Sequence, residues 1–157
     1  MKTVLFVCTA NIARSPIAEA IFNNIIQRMG FDGEFQAKSA GAWARDGIPA
    51  PEDGQKVMEV RGLDTSHHVS RLLTESILEQ ADLVLTMEAG HKEALQIEFP
   101  SHSAKIFMLS EMVDAEFDID DPFMMGLERY ETTAQELEKI LEDGKEKIFK
   151  ILKGAGS

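Results

Sequence analysis

The chain has 157 residues, 44% of them apolar, one domain's worth of sequence with enough apolar side chains to bury a real core. Its formal net charge of −11 argues against nucleic acid as a partner. One cysteine excludes an internal disulfide, no apolar run approaches membrane-spanning length, and the residues before the first strand are too few for a targeting sequence, so a cytoplasmic protein without a membrane partner is expected.

The first element is the short apolar run Val4-Leu5-Phe6-Val7, whose β-branched and aromatic content reads as a fully buried parallel strand. It stops at Cys8 and the chain restarts as a helix, with Ser15 placed as N-cap and Pro16 at the first helical position. Residues 8–14 must then form a tight loop that ends on a helix N-terminus. Successive backbone N–H groups curling around one point, together with the positive end of the helix, attract a dianion. The same field favours a thiolate at Cys8. Arg14 adds a planar fork of donors that can grip two oxygens at once.

The helix over 16–29 buries Ile17, Ala20, Ile21, Ile25 and Ile26 and closes at Gly30. A second strand over 35–39 leads into Ala40-Gly41-Ala42-Trp43. Trp43 opens a loop running to Pro51, where its ring either walls a flat substrate or simply packs. A helix over 52–60 follows, closed by Arg61-Gly62. His67 and His68 are adjacent, but sequence neighbours rarely point together and no further ligand stands at metal-binding spacing, so no metal is expected.

Thr74 is placed to cap a helix over 75–80, residues 81–87 read as a short buried strand, and a helix over 88–98 carries Leu95 and Ile97. A fourth strand lies over 105–109. The acidic stretch Asp114, Glu116, Asp118, Asp120 and Asp121 lacks the glycine and terminal glutamate of a calcium loop. Mutual repulsion within it favours retention of one proton, and Pro122 holds Asp121 in an extended backbone. The closing helix over 130–152 has Leu137, Ile140, Leu141, Ile148, Phe149 and Ile151 apolar, with a bend or break expected at Gly144 and a flexible end over 154–157. Strands alternating with helices give an α/β fold in three layers: a four-stranded parallel sheet with helices on both faces, in a single domain over 1–157. Ligands of such sheets bind beyond the strand C-termini at a switch in strand order, and Cys8 directly follows the first strand.

Cys8-Thr9-Ala10-Asn11-Ile12-Ala13-Arg14-Ser15-Pro16 near the N-terminus, Ser39-Ala40-Gly41 after the second strand and Asp121-Pro122-Phe123 late in the chain together resemble the low molecular weight protein tyrosine phosphatases. The likeness runs from Thr3 to about Lys150, with some features of the subgroup that acts on phosphoarginine. The resemblance implies that Cys8 is the nucleophile and that Arg14 and the backbone N–H groups of Thr9, Ala10, Asn11, Ile12, Ala13, Arg14 and Ser15 hold the phosphate. It further implies that Asp121 is the general acid and that Ser15 donates to the thiolate. Ser39 braces the loop on this reading and is a plain turn residue otherwise. His68 bonds the loop asparagine, Asn11, while Ile12, Trp43 and Phe123 form the pocket. No metal or organic cofactor is implied; the partner is a phosphorylated protein, with phosphate or vanadate competing.

The chain departs from many members of that family at Phe123-Met124-Met125, where paired tyrosines are common, and at Ala13, where a second cysteine is common. Phosphotyrosine is the implied substrate. The alternative is phosphoarginine, although the relative acting on it carries a threonine where this chain has Ile12. An arsenate reductase would need further cysteines, and a non-catalytic phosphate-binding module would be expected to lack the nucleophile, the arginine or the acid.

Overall fold

The computed structural model describes residues 1–155. Its strands are β1 (Lys2–Cys8), β2 (Phe35–Gly41), β3 (Leu83–Thr86) and β4 (Ile106–Met108). All pair in parallel, in the order β2-β1-β3-β4. The helices are α1 (Arg14–Arg28), α2 (Glu52–Val60), α3 (Glu75–Gln80), α4 (Ala89–Glu98) and α5 (Leu127–Gly154), with 3₁₀ turns at Pro100–Lys105 and Leu109–Val113.

Strand alternation divides the core in two. Val4, Phe6 and Cys8 join Ala37, Leu83 and Leu85 on the face covered by α1, α2 and α5, where Phe22 and Phe149 pack ring against ring. Leu5, Val7, Ala40, Val84 and Ile106 face the other way, against Leu78 of α3 and Leu95 of α4. The chain leaves β1 for β2 on one side and later returns to β3 on the other, so the order switches at β1. The crevice beyond the C-terminal end of β1 is therefore the place for a ligand, and Cys8 is its last residue.

Several local expectations are corrected. Helix α1 starts at Arg14, with Ala13 as an N-cap that makes no side-chain bond. Ser15 is inside the first turn because its hydroxyl is engaged by Cys8 and Asn11 instead. Strand β2 runs on to Gly41, since Gly41 pairs with Cys8. Ile97 is 74% exposed, and α4 buries His91 beside Leu95 instead.

Helix α5 starts at Leu127 and passes Gly144 unbroken. Glycine is needed there for contact rather than for a bend: a Cβ would lie 3.0 Å from Met112 Cβ and 3.2 Å from Met112 O. The expected flexible end is helical through Gly154, and Ala155 O accepts from Lys2 Nζ; Gly156 and Ser157 lie outside the described residues. Thr74 caps α3 as expected, accepting from Ile77 N at 3.3 Å. Among the described residues no helix is long and apolar enough to cross a membrane.

Candidate active site

The loop between β1 and α1 is held from three sides. The end of β2 lies against it, Ala42 N donating to Cys8 O at 2.9 Å and Trp43 N to Thr9 O at 3.0 Å. Gly41 allows this approach, because a Cβ there would sit 2.5 Å from Ala44 Cβ and 2.8 Å from Thr9 O. Asn11, buried and left-handed at φ 58°, turns the loop; asparagine tolerates that conformation better than most residues.

The side chain of Asn11 is fully committed. Its Nδ2 donates to Ser15 Oγ and to Ser39 Oγ, both at 2.9 Å, and its Oδ1 accepts from Arg71 N at 3.0 Å. His68 Nε2 lies 2.7 Å from Asn11 O. A carbonyl can only accept, so Nε2 carries the hydrogen. Arg71 closes the brace by donating its Nε to Ser39 O at 2.9 Å.

Cys8 is 2% exposed, with Sγ 3.0 Å from Ser15 Oγ. Ser15 Oγ accepts from Asn11 and keeps its own hydrogen to donate, so it can bond a Cys8 thiolate, which only accepts.

Arg14 is buried to 1% exposure, yet it bonds on all sides. Its Nη1 donates to Glu88 Oε2 at 2.5 Å and to Ile119 O at 2.7 Å, and its Nη2 donates to Thr9 Oγ1 at 3.2 Å. Asp121 Oδ2 stands 3.7 Å from Nη2. Its buried Nε has no partner among the described residues.

Ile119 also donates its N to Met87 O at 2.9 Å, pinning the acidic loop to the end of β3 two residues before Asp121. Asp121 Oδ1 accepts from Phe123 N at 3.0 Å, a local turn that fixes the carboxylate. Cys8, Ala10, Ile12, Ala13, Arg14, Asp121 and Phe123 line one cavity of about 60 Å³. Drug-sized sites occupy roughly 300–1,000 Å³, so this one takes a group rather than a whole molecule.

Trp43 is not among the residues lining that cavity; its ring is 63% exposed and lies 5.9 Å from the His91 ring, and its N donates to Thr9 O. One expectation fails here: the acidic residues do not repel one another as a cluster. Asp114 pairs with Lys147 at 2.9 Å, Asp118 accepts from Ala89 N at 2.8 Å, and Asp121 faces Arg14.

Glu88 and His91 were not foreseen. His91 is 2% exposed, its Nε2 2.9 Å from Thr9 Oγ1, and burial pushes it below its ordinary value of 6.5, with Glu88 acting in the opposite sense. The one signal that could have found Glu88 is its place just beyond β3, the strand next to β1 at the switch in strand order. Glu75, Glu79 and His102 form a group with ligand atoms close enough for a metal ion, and none was singled out from sequence.

Comparison with known proteins agrees with this geometry. A family model described as low molecular weight phosphotyrosine protein phosphatase matches residues 3–152. The chain is 37% identical over 131 residues to a probable low molecular weight protein-tyrosine-phosphatase, EpsP, of Ralstonia solanacearum, covering 83% of this chain and 85% of that one. It is 38% identical over 140 residues to a protein-arginine-phosphatase of Bacillus subtilis (strain 168), covering 88% and 91%. The crystal structure of a low molecular weight protein tyrosine phosphatase from T. tengcongensis superposes with a TM-score of 0.89 at 42% identity, covering 94% of this chain and 99% of that one. With the cysteine loop at the switch point of a matching sheet and the family's pattern running almost end to end, the chain belongs to the low molecular weight phosphotyrosine protein phosphatases.

Proposed function

We propose that this chain is a single-domain cytoplasmic phosphatase that removes phosphate from phosphotyrosine in proteins through a phosphocysteine at Cys8. The observation that carries the reading is the Cys8 sulfur 3.0 Å from the Ser15 hydroxyl, in a cavity it shares with Arg14 and Asp121.

In the first step the Cys8 thiolate attacks phosphorus, the bond to the phenolic oxygen breaks, and Asp121 gives that oxygen its proton. Charge gathers on the equatorial oxygens, where the loop N–H groups and the buried Nε of Arg14 are available. In the second step ionised Asp121 takes a proton from water, which attacks phosphorus and releases Cys8 as the thiolate. Ser15 stabilises the departing sulfur, while Asn11, Ser39 and His68 keep the loop in shape. Phe123, 42% exposed, and Ile12 supply apolar walls for a phenyl ring. The steps require no metal or organic cofactor, and phosphate or vanadate should compete for the loop.

The second reading, a phosphoarginine substrate, is favoured by the similarity to the Bacillus subtilis enzyme. Against it, Ile12 presents no hydroxyl to the cavity. The decisive experiment compares turnover of phosphotyrosine and phosphoarginine peptides by purified protein, with vanadate as competitor. Preference for phosphotyrosine is expected, and preference for phosphoarginine would overturn the ranking. Cys8→Ser should abolish turnover, and Asp121→Asn should slow it by on the order of 10². Full activity in Cys8→Ser would remove the covalent mechanism.

A further inference from the structure

Four side chains around the loop form a connected set that the two chemical steps do not fully use. Thr9 Oγ1 accepts from Arg14 Nη2 at 3.2 Å and lies 2.9 Å from His91 Nε2. Glu88 Oε2 holds Arg14 Nη1 at 2.5 Å and stands 3.8 Å from the same His91 nitrogen. Among the described residues, the buried His91 Nδ1 has no partner.

The bonding capacities decide how the imidazole is protonated. A threonine hydroxyl has one hydrogen and two acceptor sites, one of which Arg14 occupies. If His91 Nε2 accepted the Thr9 hydrogen, neutral His91 would carry its own hydrogen on Nδ1, as a buried N–H with nothing to meet. If Nε2 instead donates to Thr9, only a bare ring lone pair is left at Nδ1. Orphaned buried N–H groups are the rarer and costlier case. Thr9 Oγ1 then receives two donors, and its own hydrogen turns away from both.

We propose that His91 is a positioning residue for the phosphate loop: a neutral imidazole whose Nε2–H fixes Thr9 Oγ1 as an acceptor for Arg14 and so holds the guanidinium in line with the cavity. The proposal rests on the phosphoryl-transfer reading of the same loop. The charged groups that face His91 are Glu88 at the start of α4, Arg14 of α1, and Asp118 and Asp121 of the acidic loop. A proton on His91 places a second cation near Arg14 and offers Glu88 a rival partner. Acidification therefore loosens the Arg14 anchor at Glu88.

Trp43 supplies a readout that needs no turnover. It is the sole tryptophan, and its ring centroid is 5.9 Å from that of His91. An imidazolium quenches indole fluorescence at such range more strongly than an imidazole does. Wild-type protein should show a quenching step centred below pH 6.5, and His91→Gln, which keeps an N–H near the Nε2 position but cannot titrate, should lose it.

In steady-state kinetics with p-nitrophenyl phosphate, His91→Phe should lower kcat by on the order of 10- to 100-fold with KM little changed, while His91→Gln stays within about threefold of wild type. Thr9→Val should reproduce the loss, and the double variant should add nothing to it. The proposal is overturned if the quenching step survives in His91→Gln, if folded His91→Phe keeps wild-type kcat, or if the two losses multiply. Should His91→Phe fail to fold, Thr9→Val decides, and unchanged kcat there overturns it. The fluorescence step holds or fails independently of whether Cys8 is the nucleophile.

Discussion

At the scale of single residues, the site is governed by how few hydrogen-bonding sites each side chain has. Asn11 spends both ends of its amide on Ser15, Ser39 and the Arg71 backbone, while its own backbone sits at φ 58°. Asn11→Ala removes all three side-chain bonds and leaves a β-carbon residue in the left-handed region. It should destabilise the fold by about 2–4 kcal/mol, read from urea melts. Because Ser15 Oγ loses its Asn11 donor, kcat should fall even at temperatures where the variant remains folded. Wild-type stability together with wild-type kcat would refute this role. His68 and Ser39 were legible as loop partners only through resemblance, since the contacts they make cross many residues of sequence.

At the scale of elements, the loop works because three segments end on it: β1 supplies Cys8, β2 supplies Gly41, and α1 supplies Arg14. Strand identity was readable from short apolar runs. The extra length of β2 was not, because it depends on pairing with Cys8 rather than on composition. Helix α5 gives the same lesson. Gly144 reads as a weak point in sequence, yet it is where Met112 packs against the helix. Gly144→Ala gains helix propensity but forces a Cβ against Met112 backbone. The clash should win, lowering stability by about 1 kcal/mol, observable as a drop in Tm. A rise in Tm would show that Met112 gives way easily.

At the scale of the whole molecule, the pH dependence of stability combines opposing groups. His91 is held below its ordinary 6.5 mainly by burial. Its contribution is fully present above that pH and is lost as pH falls, because the unfolded chain takes up the proton first. Glu131 is held below its ordinary 4.5 by Arg61, and Glu142 by Lys145 and Arg28. Glu111 is held below 4.5 despite burial, by Lys92 and the Met108 N–H. These contributions are present above 4.5 and disappear as pH falls further. Glu136, raised by burial and by Asp120, acts in the opposite sense. Urea melts from about pH 8 to about pH 4 should show a first decline beginning below 6.5, absent in His91→Gln, and a second below 4.5. A flat profile between those values would contradict the burial of His91. The sequence by itself determined the strand-loop-helix around Cys8, the alternation that makes the sheet parallel, and the loop carrying Asp121, because these follow from neighbouring residues and local periodicity. Only the tertiary structure decided that Arg14 is anchored by Glu88, that the Trp43 ring lies beside His91, and that the acidic residues disperse. Those outcomes depend on which strand ends the fold brings side by side, and sequence spacing does not encode that distance.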